Sequence, residues 1–499
     1  MQDARTDTEA IGAGLERGTW ARMEAPGKRF LEGIARYWYV VLPAIFFCAA
    51  LPMLGVRPFR FEEGRRVAQV LAFFDGGSWL RLEIFGEAYT NKPPLLPWLI
   101  AVAAKALGYV DEFAARLPSV IAIASTILTA GLMASRIAVH RRHLAAFAAG
   151  TFAMVAPVVI SRYRLAETDA TATAFASAAF FIWALSRLRH NGNVSFLSWC
   201  GVAVCCGGAL LAKGPPPLLF PLVPMFVIPL QERRWGEILS LMLALTAGSL
   251  PLAWWLLANI DVTSAAHLSS ELRLQPSGLS GIGDYLKGLP ELIVFGPLQF
   301  LPGLALCLIW IGRKASWRRS SGWLNRALFL FAVPTSILLL FWPTSETRYI
   351  MPAVWPISVM AGLLAAEYWS RTGMSTILVA TLTTFLIVQG VQLVIEGRTD
   401  KQAAQRQMAT ALAAAVEPLP TGGWLIWSGK KPSYNLYVYM GRNATLVTGD
   451  TLSCKPDSAY LLADDTRTDR IDPGIWRKLT AIEGADMTLY QRQAGATGC

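Results

Sequence analysis

The chain is expected to be a polytopic α-helical membrane protein of about 11 spans, closed by a small extracytoplasmic α/β domain at its C-terminus. Three observations predict this. The 499 residues have a mean hydropathy of +0.41, with 54% hydrophobic and only 16% charged residues, too apolar for a protein surrounded by water. Apolar stretches of about 18–23 residues recur from residue 38 to 396, each long enough to cross a hydrocarbon layer about 30 Å thick as a helix. After residue 397 the pattern changes to short strand-like runs separated by turn residues.

In chain order, residues 1–37 form a polar cytoplasmic segment. The first apolar run, 38–56, lacks a small-residue cleavage site after it and reads as a retained helix rather than a signal peptide. The later candidate spans are 113–135, 143–160, 170–187, 195–212, 216–230, 237–258, 290–311, 323–342, 349–368 and 374–396. The basic connections "RIAVHRRH", "RLRHNGN", "QERRW", "GRKASWRRSSGW" and "SRTG" then fall on alternate loops, which assigns them to the cytoplasm. That bias accounts for the formal net charge of +11 without a nucleic-acid partner. Residues 94–108, "PLLPWLIAVAAKALG", would invert every later basic loop if they crossed. They are therefore read as a short helix at the outer interface, within an external loop 57–112.

The region 397–499 opens with an amphipathic helix, "TDKQAAQRQMATALAAAV", followed by the strand-like runs "GWLIWSG", "YNLYVYM", "SAYLLAD" and "MTLYQRQ". Cys48, Cys200, Cys205, Cys206 and Cys307 lie in apolar runs and read as small buried hydrophobes. Cys454 and Cys499 could form a disulfide only if the C-terminal region faces an oxidising compartment.

With this topology the polar connections carrying unusual residues share the external face: 57–112, "SRYRLAETD", "AKGPPP", the loop 259–289 and "TSETRY". Charges at membrane depth are costly and so point to a ligand of matching charge. Glu62 and Glu63, followed by Arg65 and Arg66, suit such a ligand or a solvated interfacial anchor. Lys92 precedes two stiffening prolines and offers a point charge for a phosphate. Asp169 is a candidate catalytic carboxylate or a helix N-cap, and Lys213 a phosphate ligand or a snorkelling side chain. Arg348 has the planar fork that grips phosphate, with Tyr349 beside it. His267 suits a metal, a substrate hydroxyl or simple solvation.

The ordered set "FEEGRR", "NKPPLLPWL", "DEFAARLPS", "RLAETDATATAF", "LAKGPPPLLFPL" and "SETRYIMPAVWPISVMAG" resembles the GT-C superfamily of membrane glycosyltransferases. Within it, the protein O-mannosyltransferase family and its bacterial lipid A aminoarabinose transferase relatives are most alike. The resemblance implies a GT-C-like fold and transfer of a sugar from a polyprenyl (undecaprenyl-type) phosphate carrier on the periplasmic face of a bacterial inner membrane. The acceptor implied is lipid A, lipopolysaccharide or an exported protein. Glu62 matches an acidic residue that is usually Asp, and is expected to be catalytic together with Asp169. Glu63 and Arg65 complete that motif, while Lys92, Arg65, Lys213 and Arg348 are expected around the donor phosphate. Glu63, Tyr349 and His267 are expected to bind substrate. Asn91 stands where the aminoarabinose transferases carry a metal-binding Glu, which argues against a metal at that place; the polyprenyl phosphate is already a good leaving group, so no cofactor is required, with a divalent metal as the alternative. A lipid-linked-sugar flippase is the rival reading, and it predicts repeat-related broken helices and mid-membrane ionisable residues that the sequence does not display. A non-catalytic envelope assembly protein is the other.

Overall fold

A computed structural model describes residues 28–60, 62–84, 86–259, 293–309, 322–340, 346–369 and 373–398. Toward the C-terminus it describes 424–427, 445–447, 459–464, 466–482 and 487–495, with isolated residues besides. The chain is a multi-pass membrane protein. Seven of its described helices are long and apolar enough to cross a bilayer, or eight if the bent pair α1 (Lys28–Ala35) and α2 (Trp38–Ala50, extended to Met53) counts as one span. The seven are α5 (Glu112–Ile137), α8 (Thr168–Arg189), α9 (Phe196–Lys213), α11 (Trp235–Ala258), α13 (Gly322–Leu340), α14 (Val354–Glu367, entered through a 3₁₀ turn at Thr347–Ala353) and α15 (Met374–Arg398).

The expected eleven spans differ from these seven or eight for identifiable reasons. The run 143–160 splits into α6 (Arg142–Val155) and α7 (Pro157–Arg162), because Pro157 cannot continue the hydrogen-bond ladder and Ala156 turns extended at ψ 130. The run 216–230 becomes a 3₁₀ turn and the 13-residue α10 (Leu219–Gln231), and α2 is equally short. The run 290–311 is described only in part and contains the seven-residue α12 (Gly303–Ile309). Residues 94–108 do form a short helix, α4 (Leu95–Leu107), begun after the Lys-Pro-Pro turn and stopped by Gly108 at φ +84, where a β-carbon would be strained.

Local sequence explains where the long helices start. The Asp111 carboxylate accepts from the Ala114 amide at 2.8 Å and caps α5, and Ser195 caps α9 by accepting from Ser198. The main core lies where α5, α6 and α14 pack against α2 and α8, with Trp183 and Trp355 fully buried. Cys205 and Cys206 are buried as expected, but Cys48 and Cys200 are exposed on helix flanks.

Helices α9 and α11 touch through backbone. A β-carbon on Gly248 would lie 2.5 Å from the Ala203 carbonyl oxygen, and one on Gly207 would lie 2.9 Å from the Gly248 carbonyl oxygen. Gly248→Leu is therefore expected to cost about 1–3 kcal/mol, seen as a lower melting midpoint in detergent. Gly236→Ala, at an open position on the same helix, should not lower it.

Two short strands before α4, β1 (Glu83–Ile84) and β2 (Glu87–Ala88), pair antiparallel. The C-terminal strands build one sheet in the order β4-β3-β5-β7-β6: β3 (Trp424–Trp427), β4 (Thr445–Val447), β5 (Tyr460–Asp464), β6 (Trp476–Ile482) and β7 (Met487–Arg492). Strand β3 runs parallel to β4 and β5, and β7 antiparallel to β5 and β6. The two-residue alternation gives the sheet two apolar faces. Ile426, Leu462 and Leu489 join a cluster with Val67 of α3 (Glu63–Phe74), Ile100 of α4 and Trp255 of α11, while Leu425, Trp427 and Leu461 build the other side. Three of the four expected runs contribute strands among the described residues: β3, β5 and β7 come from "GWLIWSG", "SAYLLAD" and "MTLYQRQ". Strands β4 and β6 were not anticipated. Most of "YNLYVYM", the expected amphipathic helix after residue 399, Cys454 and Cys499 lie outside the described residues.

Candidate functional site

Two adjacent acids at the start of α3 have opposite surroundings. Successive helical residues point about 100° apart, and here that step separates an accessible carboxylate from a sealed one. Glu62 keeps a side chain 38% exposed and accepts from Arg65 Nη1 at 2.8 Å. Glu63 is 0% exposed. Arg116 Nε donates to Glu63 Oε1 at 2.8 Å and Arg116 Nη2 to Oε2 at 2.9 Å, a two-pronged pair. The Ala166 amide donates to Oε1 at 2.9 Å and the Arg60 amide to Oε2 at 2.8 Å.

Burial alone would raise the Glu63 carboxyl, but the Arg116 charge and these hydrogen bonds hold it below its ordinary value of 4.5. Arg116, itself 1% exposed, also donates to the carbonyls of Arg57 at 2.7 Å and Pro58 at 3.0 Å. Glu63 was expected to bind substrate. With both oxygens engaged inside the protein, it instead ties the turn 54–60 to α5 and to the segment before α8.

That segment carries the second half of the site. Asp169, in the first turn of α8, forms an ion pair with Lys213 at the carboxyl end of α9. The Lys213 ammonium sits 3.9 Å from the ring centroid of Tyr349. Glu167 is gripped by Arg162 at 3.0 Å and Arg348 at 3.3 Å, and Arg348 also pairs with Glu346 at 2.7 Å. Burial and the neighbouring Asp169 charge raise the Glu167 carboxyl above 4.5 despite both arginines. The positive charge of Lys92 acts on Lys213, so the Lys-Pro-Pro turn reaches the same neighbourhood.

The hydrogen bond from Ala166 to Glu63 joins this cluster to the start of α3. Asp169, Lys213, Arg348 and Tyr349 thus converge, with Glu62 and Arg65 on the adjoining turn. His267 lies outside the described residues. Arg116 and Arg162 carry charge in the site but had no role assigned. An arginine in the opening turns of a long apolar helix demands a buried partner, and that signal was present in "DEFAARLPS". The opposite end of α8 is held differently: Arg187 lies between the rings of Trp183 and Trp323 and pairs with Glu232 and Glu237.

Residues 91–256 match the family described as dolichyl-phosphate-mannose-protein mannosyltransferase. Two relatives from Pseudomonas aeruginosa, both named undecaprenyl phosphate-alpha-4-amino-4-deoxy-L-arabinose arabinosyl transferase, show partial similarity. The protein from strain LESB58 is 27% identical over 60% of this chain and 54% of its own length, and that from strain UCBPP-PA14 is 30% identical over 44% and 40%. The chain thus spans about half the length of these relatives or less. The apo crystal structure of ArnT from Cupriavidus metallidurans superposes with a TM-score of 0.70 at 15% identity, over 94% of this chain and 99% of that one. Its undecaprenyl-phosphate-bound form gives 0.65 over the same shares. These superpositions show a shared fold.

Proposed function

We propose, from a chain that shares the ArnT fold and carries a stretch of the mannosyltransferase family consistent with the GT-C superfamily, that it transfers a sugar from a polyprenyl-phosphate carrier to an envelope acceptor. The observation that carries the reading is the convergence of an accessible carboxylate, Glu62, with the held cations Lys213 and Arg348 at one end of the bundle. The donor is of the undecaprenyl phosphate type that the solved relative binds, and the acceptor is lipid A or lipopolysaccharide. The site and the C-terminal sheet face the periplasm of a bacterial inner membrane, with the basic loops in the cytoplasm.

In the reaction the bond from the anomeric carbon to the phosphate oxygen breaks and its electron pair leaves with the phosphate. An acceptor oxygen bonds that carbon from the opposite side, which inverts the configuration. A hydroxyl acceptor passes its proton to Glu62; an already ionised acceptor phosphate has none to give, and Glu62 then only orients it. Lys92, Arg65, Lys213 and Arg348 stabilise the charge that grows on the leaving phosphate. Asp169 and Glu167 prepare this by holding Lys213 and Arg348 in place before the donor arrives. Tyr349, which lies against Lys213, and His267 are the further residues assigned to substrate binding.

Among the described residues the donor set does not suit a divalent metal. Asn91 offers a neutral amide where a carboxylate would be needed, and Glu62, Glu63, Glu167 and Asp169 are each engaged by a cation. No step is assigned to a metal. The name of the matching family favours a protein acceptor as the second reading.

Mass spectrometry of lipid A, core oligosaccharide and exported glycoproteins, from cells with and without the protein, tests both. One added sugar mass on the lipid A fraction is expected. Unchanged glycans in all fractions, with the protein expressed and its donor present, would sink the transferase reading.

A further inference from the structure

The charges along α3 bear on which sugar the donor carries, a question that rests on the transferase reading above. Positions 62, 66 and 69 share one helix face, because residues three and four apart stack. The site carboxylates each hold a cation: Glu62 holds Arg65, Glu63 holds Arg116, Glu167 holds Arg162 and Arg348, and Asp169 holds Lys213. Arg66 differs. It is 4% exposed, and among the described residues its guanidinium meets only the Tyr89 ring, donating to the hydroxyl at 3.4 Å with its carbon 5.6 Å from the ring centroid.

One turn further on, Gln69 is 0% exposed, and neither its amide oxygen nor its amide nitrogen has a partner among the described residues. The Thr90 hydroxyl, beside Tyr89, is buried without a partner as well. Thr90 leads directly into Asn91 and Lys92. A buried guanidinium with one long hydrogen bond, and an amide and a hydroxyl without partners among the described residues, therefore sit on α3 and on the segment that leads into Lys92.

Buried polar groups are retained where something completes their bonds, and a buried arginine needs an anion more than any other partner. We infer that Arg66, Gln69 and Thr90 form a subsite for a carboxylate-bearing sugar, a hexuronic acid linked to the polyprenyl phosphate. The guanidinium takes the sugar carboxylate, and the amide and hydroxyl take ring hydroxyls. A cationic aminosugar would meet that arginine and, among the described residues, no unpaired site carboxylate. A neutral hexose would leave the arginine without its counter-charge.

The test uses the purified full chain in proteoliposomes with lipid A as acceptor and three undecaprenyl-phosphate donors. These carry a hexuronic acid, the same hexose with a hydroxymethyl in place of the carboxylate, and a 4-amino-4-deoxypentose. The wild type should give its highest kcat/KM with the uronic donor. Arg66→Gln should lower the ratio of kcat/KM for the uronic donor over the hexose donor by about 30-fold. Arg66→Lys, which keeps the charge but not the fork, should restore part of that ratio and serves as the decisive variant if Arg66→Gln does not fold.

A wild type that prefers the hexose or the aminopentose overturns the subsite and leaves the transferase intact. So does an Arg66→Lys variant that loses all donors in equal proportion. No transfer from any of the three donors, with folded protein in the vesicles, overturns the transferase reading and the subsite together.

Discussion

Glu62→Gln is expected to lower the transfer rate by about 10²–10⁴-fold toward a hydroxyl acceptor, the range that a positioned general base supplies. The substitution keeps size and shape, and the side chain is 38% exposed and paired with Arg65. The melting midpoint should therefore stay where it is, and the loss should fall on kcat rather than on KM. Glu62→Asp restores the shorter acid that the resemblance implies at this position and should keep measurable turnover. Wild-type rates for Glu62→Gln with a hydroxyl acceptor would show that the proton goes elsewhere.

Arg116→Met is expected to have the largest effect on stability. Removing one member of a buried ion pair strands the other charge, at a cost of about 3–5 kcal/mol. Here it also leaves the carbonyls of Arg57 and Pro58 without their donor. Unfolding in detergent should show the loss as a lower midpoint, whereas Glu62→Gln should not. Because the folded-state carboxyl of Glu63 lies below 4.5, its contribution is complete above that ordinary value and is lost as the pH falls through the depressed one. The wild type should therefore lose stability in acid, and Glu63→Gln, weaker at neutral pH, should show a smaller acid-dependent loss.

The parts of the site that lie in polar turns between spans were legible from sequence. Asp169, Lys213, Arg348 and Tyr349 sit where charge interrupts an apolar pattern, and the structure brings them together. Two things were hidden. Which of two neighbouring glutamates is sealed depends on helix phase and on what packs against α3, and neither can be read from "FEEGRR". The partner of the sealed one, Arg116, comes from an apolar helix 53 residues away.

Among the described residues, fewer helices reach spanning length than the eleven expected runs, for a related reason. The composition of 143–160 is mostly apolar, but one proline at 157 ends the helix that composition favours. In the sheet, β6 (Trp476–Ile482) interleaves charge with apolar residues and its ladder slips between Lys478 and Thr480, so its alternation was too faint to recognise.

The bond between Glu63 and Arg116 also sets an order of assembly. A chain emerging from the ribosome places Glu63 beyond the first helix well before Arg116 exists, so the turn at 54–60 and the acid beside it cannot settle until α5 has been inserted. Early in synthesis the acid must wait in water or take up a proton. The step that delivers α5 to the membrane is then also the step that locks the turn after α2, and with it the accessible Glu62, into its final place.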